Sequence, residues 1–248
     1  MSKLYLIRHA QSANNAIWNG NDHGEKRSPD PELTTLGHRQ AKALASHIAH
    51  PESEPRQHPY ISSNQRGYSL THLYCSLMTR SILTAQYVAK ECALPLEAGE
   101  NYFEKEGIYE LSAQGDLIGL PGPDNEYFSN RFPDLQLPKS FNKAGWWNRP
   151  AESDTHFLQR MKNVVEEFKL MLRDRSLCIG LVAHGDFIDQ FINELMGIER
   201  HDQNYNSDWV ANWTFHNTSI TRIDFLNGSH NVVYTNRIDH LSHELISW

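Results

Sequence analysis

Three short apolar runs, Lys3–Ile7, Thr71–Cys75 and Leu177–Ala183, are each followed by a stretch whose apolar residues recur at helical spacing. Near-continuous apolarity over five to seven residues marks strands covered on both faces, because an open face would alternate with polar residues. Strands alternating with helices define an α/β chain with a mainly parallel central sheet. The first helix opens within Glu32-Leu33-Thr34-Thr35, with Thr34 or Thr35 as N-cap and Leu36, Ala43, Leu44, Ala45 and Ile48 as its apolar face. The second is expected over Thr79–Cys92, where Ile82, Leu83, Ala85, Val88 and Ala89 share a face. Further helices are expected over 153–173 and 186–196, and a further strand over 94–98. Thr218–Phe225 and Asn231–Tyr234 read as a hairpin turning at Asn227-Gly228. Residues 51–69, with Pro51, Pro55, Pro59 and Gly67, read as a loop.

Composition narrows the functional classes. A chain of 248 residues buries enough surface to need neither disulfides nor a structural metal. No stretch reaches the apolar length of a membrane span, and a formal charge of −7 without a basic cluster speaks against nucleic acid as the ligand. The opening residues hold only four apolar side chains, Leu4–Ile7, before Arg8, too few for a signal peptide. Cys75, Cys92 and Cys178 are odd in number and lack metal-ligand spacing, so reduced, mostly buried thiols in a cytoplasmic protein are expected. His240 and His243 have helical ligand spacing but no adjacent Glu and no third ligand, which speaks against a metal there.

Residues 99–150 break the alternation. They hold five prolines, six glycines and nine aromatics without a long periodic element, a composition too aromatic for disorder. This segment is expected to form a cap insertion within one domain spanning 1–248. Tyr102, Phe103, Tyr109, Tyr127, Phe128, Phe132, Phe141, Trp146 and Trp147 are candidates for an apolar wall over a pocket. At least one of the two tryptophans is expected instead to pack the cap onto the body.

Two of the apolar runs end alike, in Arg8-His9 and in His184-Gly185. Ligands of open parallel sheets bind beyond the carboxyl ends of the strands, so both histidines fall where such a fold places a site. Most of the fourteen histidines read as packed or solvated; these two are distinguished by position. Arg80 falls in the first turn of the second helix, an end that already carries free N–H groups and positive dipole. An arginine there is favourable if an anion offsets it. Two guanidiniums, a helix N-terminus and two imidazoles suit a phosphate-sized anion.

The motifs around these residues resemble those of a known family. Leu6-Ile7-Arg8-His9-Ala10-Gln11-Ser12-Ala13-Asn14-Asn15 is similar to the Arg-His-Gly-Glu-Ser…Asn signature of the histidine phosphatase superfamily, the phosphoglycerate-mutase-like proteins. Leu33-Thr34-Thr35-Leu36-Gly37-His38-Arg39-Gln40-Ala41 resembles its Leu-Thr-X-X-Gly-X-X-Gln-Ala helix start, and Tyr74–Ala85 its Ser-Ser-Pro-Leu-X-Arg-X-X-Gln-Thr-Ala segment. Val182-Ala183-His184-Gly185 resembles its second histidine motif. Ala10 stands for the family's Gly, Gln11 for Glu, and Cys75 and Leu77 for Ser and Pro, none of which removes a reacting group. Ala10 asks more of the backbone than Gly would.

The resemblance implies a three-layer α/β sandwich with helices on both faces, and a metal-independent phosphomonoester hydrolase that needs no cofactor. His9 would be the nucleophile, forming a phosphohistidine, and Arg8, Arg80, Asn15 and His184 would hold the phosphoryl oxygens. The acid follows the third strand. A branch of the family reads Glu-X-Gly-Gly-Ile-Tyr there, and Glu104-Lys105-Glu106-Gly107-Ile108-Tyr109 matches with Glu106 at the first Gly. This register assigns the acid to Glu104, with Glu106 as the fallback; Glu97, Glu100 and Glu110 read as solvated. A cofactor-dependent phosphomutase is the alternative, but its Gly-Trp-X-Asp stretch is missing between Asn15 and Leu33, and Leu120-Pro121-Gly122-Pro123 stands where mutases carry a basic segment. A catalytically inactive phospho-ligand-binding module should have lost one of the reacting groups, and none is lost. The partner is a small phosphorylated substrate, for which sugar phosphates, phosphoglycerate, nucleotides, phosphopeptides and phosphoramidates fit equally.

Overall fold

In the computed structural model the chain is described over residues 1–18, 27–50, 67–141, 144–198 and 212–248. Strand β1 (Ser2–Arg8) leads through a one-and-a-half-turn helix, α1 (Ala13–Trp18), to α2 (Thr35–Ala49). Then come β2 (His72–Ser76), α3 (Thr79–Cys92) and β3 (Leu96–Gly99). The next stretch holds a hairpin of β4 (Tyr109–Leu111) and β5 (Leu117–Gly119), a short helix α4 (Asn125–Arg131) and β6 (Leu135–Gln136). Helix α5 (Asp154–Met171), β7 (Cys178–Ala183), α6 (Gly185–Leu195), β8 (Ile220–Leu226), β9 (Ser229–Arg237) and a 3₁₀ turn at His243–Leu245 complete it.

The main sheet has seven strands in the order β6-β3-β2-β7-β1-β8-β9. Neighbours from β6 to β1 run parallel, and β8 and β9 close one side antiparallel. The α/β class with a mainly parallel sheet is therefore the observed one. Alternation along the strands separates two cores. Tyr5, Ile7, Cys75 and Val182 pack with Leu44, Ile48, Ile82 and Val88 of α2 and α3. Leu4, Leu6, Ile179, Leu181 and Ala183 face the other way, onto Phe157, Met161, Val164, Phe168, Phe187 and Phe191 of α5 and α6. Helices thus cover both faces, giving three layers.

The expected long elements hold, with α3 spanning Thr79–Cys92 as read. Thr34 is the N-cap of α2, its hydroxyl accepting from Gly37 N–H. The buried face of that helix differs from the expected one: Gln40, Ala41 and His47 are buried, whereas Leu36 and Ala43 are only partly covered. Asn227 and Gly228 both take positive φ, 54° and 80°, as a tight hairpin turn requires. The loop read over 51–69 lies, apart from its last three residues, outside the described residues.

Residues 99–150 are more structured than their composition suggested. The β4–β5 hairpin, α4 and β6 all fall within them, and β6 joins the main sheet beside β3. The aromatic wall is corrected in large part. Phe103, Phe128, Phe132, Trp146 and Trp147 are buried in the core shared with α2 and α3, and Tyr102 in the opposite core. Those rings cover each other and the sheet rather than a pocket. Tyr109 and Tyr127 are only partly buried. Cys75 and Cys178 are buried free thiols, and Cys92 is a partly covered one. No helix of the described residues is long and apolar enough to cross a membrane.

Candidate active site

Register brings the two histidines together. Strands β1 and β7 are parallel neighbours with Arg8 opposite Ala183, so the next residue of each chain segment leaves the sheet at the same level. His9 donates its backbone N–H to the Ala183 carbonyl at 3.0 Å, and the two imidazole centroids lie 5.2 Å apart. Both rings are buried, at 3% and 0% exposure. On the far side of β7, β2 feeds α3, whose second residue is Arg80. Its Nε donates to His9 Nε2 at 3.1 Å.

That contact fixes the tautomer of His9. A guanidinium can only donate, so Nε2 carries a lone pair and Nδ1 carries the proton, which it donates to the Ala10 carbonyl at 2.7 Å. Burial, then Arg80 and Arg8, hold the His9 pKa well below its ordinary value, and burial, then Arg80 and His9, depress His184. Both imidazoles are neutral at physiological pH. His184 caps α6 by position rather than by a side-chain bond. Its Nδ1 and Nε2, and Nε of Arg8, are buried without a partner among the described residues. Buried polar atoms are costly unless something satisfies them, and these three point to an anion-binding cradle. Arg8 is held in place by its Nη1 donating to the Phe215 carbonyl.

Glu104 reaches the same place from the segment after β3. Its Oε1 accepts from Phe187 N–H and Lys105 N–H, both at 3.0 Å, and its Oε2 from Asp186 N–H at 3.3 Å. The carboxyl thus sits on the N-terminus of α6, immediately beyond His184. Three amides favour the ionised form, yet burial and the nearby Asp186 push the carboxyl up to about 7. Glu106 goes elsewhere. It takes φ 73°, a left-handed conformation that Gly adopts freely, and its side chain accepts from the Tyr109 phenol. Gly107 follows at φ 76°, where a Cβ would collide with Trp147.

The loop after His9 is held amide by amide. Ala10 N–H donates to Thr84 Oγ1, Gln11 N–H to Gln40 Oε1, Ser12 N–H to Asn15 Oδ1 and Ala13 N–H to the Glu32 carbonyl. Asn15 Oδ1 also accepts from Ser12 Oγ and Asn217 Nδ2, which leaves its NH2 group as the part free for a ligand. Ala10 is absent from the positive-φ residues, so the methyl that replaces a hydrogen strains nothing; it packs on Leu33 and Ala41.

Sequence reasoning missed three groups here. Asp30 accepts from Thr79 N–H at 3.0 Å and Thr79 Oγ1 at 2.6 Å, supplying α3 with the cap that Met78 cannot and setting a carboxylate near Arg80. Gln40 and Asn217, fully buried amides, tie the loop after His9 from beneath. An acid amid prolines and an amide inside a strand-leading turn carry no periodic signal. As for metals, among the described residues one potential ligand atom each of His47, Asp239 and His240 lie within 4.8 Å of one another. Arg237 already grips Asp239 at 2.6 and 2.7 Å, the Tyr68 hydroxyl engages His47, and Thr218 engages His240.

Residues 4–238 match the family profile of the histidine phosphatase superfamily (branch 1), and the chain belongs to that family. A curated relative, the probable phosphoglycerate mutase GpmB of Photorhabdus laumondii, is 23% identical over 239 residues, covering 91% of this chain and 86% of its own. Among solved structures, the ecdysone phosphate phosphatase of Bombix mori with tungstate superposes with a TM-score of 0.59 at 13% identity, over 95% of this chain and 93% of its own. A putative α-ribazole-5′-P phosphatase of Escherichia coli reaches 0.57 at 17% identity, over 96% and 98%. A phosphoserine phosphatase variant of Entamoeba histolytica with phosphoserine reaches 0.53 at 20% identity, over 98% and 100%.

Proposed function

We propose that this chain hydrolyses small phosphomonoesters through a phosphohistidine on His9. The observation that carries the reading is the convergence of a neutral His9, its Nε2 lone pair fixed by Arg80, with a carboxyl whose pKa is pushed up to about 7. His9 Nε2 attacks phosphorus, the bond from phosphorus to the ester oxygen breaks, and Glu104 delivers its proton to the leaving alkoxide. Water then attacks phosphorus, Glu104 takes the proton, and the phosphorus–nitrogen bond breaks to release inorganic phosphate. A pKa near 7 lets one carboxyl serve both halves. Arg8, Arg80, Asn15 and His184 hold the equatorial oxygens, where charge is stabilised without a metal, and the reaction consumes only water. An incoming phosphoryl oxygen takes over the Arg80 N–H that rests on His9 and so frees the nucleophile.

Residues 99–150 serve as the cap of a single domain. Tyr109 lies in the electrostatic reach of Arg80, and the Tyr127 hydroxyl lies 3.2 Å from Thr79 Oγ1, one residue before Arg80. These two tyrosines, not the buried rings, are the cap's contribution to substrate preference. A small phosphorylated molecule is the partner, in keeping with relatives named as phosphatases of phosphoserine, ecdysone phosphate and α-ribazole-5′-P. Three free thiols suit a reducing, cytoplasmic setting.

The mutase reading is kept because a relative carries that name. A panel of diverse phosphomonoesters tests the main reading, together with base-quenched trapping and peptide mapping of labelled phosphate. Label on His9 with phosphate release supports it; label on His184 or a serine, or none, overturns it. Phosphoryl exchange between 3-phosphoglycerate and 2,3-bisphosphoglycerate without net hydrolysis would replace phosphatase by mutase.

A further inference from the structure

A closed ring of buried hydrogen bonds leaves the nucleophile loop and returns to it. Gln11 N–H donates to Gln40 Oε1 at 2.8 Å, which fixes the Gln40 amide. Gln40 Nε2 then donates to the Leu245 carbonyl at 2.7 Å and to Ser247 Oγ at 2.8 Å. With one lone pair of its oxygen engaged, Ser247 turns its own proton to Asn217 Oδ1 at 2.9 Å. Asn217 Nδ2 closes the ring on the His9 carbonyl at 3.2 Å and Asn15 Oδ1 at 3.3 Å. Every donor direction in the chain is set, because backbone groups stand at both ends. Gln40, Asn217 and Thr218 have no exposed surface, and Ser247 has 7%. Thr218, a β-branched residue at φ 59°, adds its own N–H to the His9 carbonyl at 3.3 Å. Backbone strain in such a residue persists only where its surroundings over-determine it.

We propose that Asn217, keyed by Ser247, is a positioning residue for phosphoryl transfer, acting by holding the Asn15 amide with its NH2 group toward the phosphoryl oxygens. The inference rests on the reading of His9 as nucleophile and Asn15 as a phosphate donor. A flipped Asn15 would set its NH2 against the Ser12 N–H from one side and the Asn217 NH2 from the other, two donor–donor contacts in a half-buried place. Removing the Ser247 hydroxyl leaves Asn217 Oδ1 buried without that donor, and the amide then holds the His9 carbonyl and Asn15 Oδ1 with one anchor fewer. The ring thereby carries the register of residues more than two hundred positions away to the group that meets the phosphate.

The test measures turnover of p-nitrophenyl phosphate, inhibition by orthovanadate and thermal melting for wild type, Ser247→Ala, Asn15→Ala and the double variant. Ser247→Ala is expected to lower kcat and vanadate affinity together by about tenfold per folded molecule, since misplaced donors cost rate steeply. In the Asn15→Ala background the same substitution should change either by less than about twofold, because its effect passes through Asn15. Asn217→Ser, too short to bridge both oxygens, repeats the comparison should Ser247→Ala fail to fold. Lowered melting with unchanged kcat and vanadate inhibition would reduce the ring to a structural tie and overturn the inference, as would effects that simply multiply in the double variant. Mapping labelled phosphate on wild type separates the two levels. Label on His9 with inert ring variants sinks the inference alone, whereas no phosphohistidine sinks the reading beneath it as well.

Discussion

In the proposed reaction Glu104 serves as an acid in one half-reaction and as a base in the next, and its surroundings are a compromise between the two. Three backbone amides pull its pKa down while burial and Asp186 push it up. Glu104→Gln should slow phosphoenzyme formation severely with an alkyl phosphate, whose alkoxide needs a proton, and little with p-nitrophenyl phosphate. The aryl ester should then give a burst of about one equivalent of nitrophenol followed by slow turnover, visible in rapid-mixing absorbance. Glu106→Gln should behave as wild type with both esters. The same carboxyl has a stability signature. Its folded pKa of about 7 lies above the ordinary value of 4.5, so its contribution is complete below pH 4.5 and is lost as pH rises to about 7. Glu104→Gln should therefore melt higher than wild type above pH 7, by at most about 3 kcal/mol in stability, with the gap closing toward pH 5. Asp186→Asn should move the basic limb of the kcat–pH profile to lower pH. Choosing between the two glutamates was open to the sequence only through the spacing of a Gly that this chain lacks; the left-handed backbone of Glu106 accounts physically for that register.

Among the elements, α5 does more than cover the sheet. Arg160 of α5 is gripped by Glu152 at 2.7 and 2.8 Å and donates to the Asn101 and Phe103 carbonyls, with its guanidinium 3.7 Å from the Phe103 ring centre. One buried side chain thus ties both ends of the irregular segment, and Glu104 is the next residue. Arg160→Met should cost about 3–5 kcal/mol in denaturant unfolding, since Glu152 is left as a buried unpaired charge, and should impair the acid step alongside. Helix α2 approaches the nucleophile loop so closely that a Cβ on Gly37 would lie 2.2 Å from the Gln11 carbonyl oxygen. Gly37→Ala should lower both the melting temperature and kcat by moving that loop. Elements of this kind divide by legibility. Helices α2, α3, α5 and α6 and strands β1 and β7 announce themselves because burial repeats along them. Two-residue β6 and seven-residue α4 have too few turns or alternations to carry a period; Asp30 and Asn217 act across the fold, where spacing says nothing, and the motif that holds Gln40 does not name its partners.

For the molecule as a whole, the core runs without a break from the sheet into residues 99–150. Trp147 is buried beside Phe103 and Trp146, their rings 4.8 and 5.7 Å away centre to centre. Trp147→Ala should lower stability by about 3–5 kcal/mol, as should Phe128→Ala to a similar order, with relative activity across a substrate panel unchanged. Tyr127→Ala should do the reverse, altering preference among substrates with a smaller loss of stability.

The five successive amides from His9 to Ala13 each end on a different partner: β7, α3, α2, Asn15 and Glu32. A loop held by one neighbour opens when that neighbour frays. This one can open only when several elements part at once, so its hydrogens should leave for deuterium at the rate of global unfolding. In most proteins the slowest-exchanging amides mark the middle of a sheet; here mass spectrometry of exchanged peptides should find residues 9–13 as slow as Leu4–Ile7. A floor this firmly locked fixes where a phosphoryl group is met, and choice among substrates is left to the side chains above it.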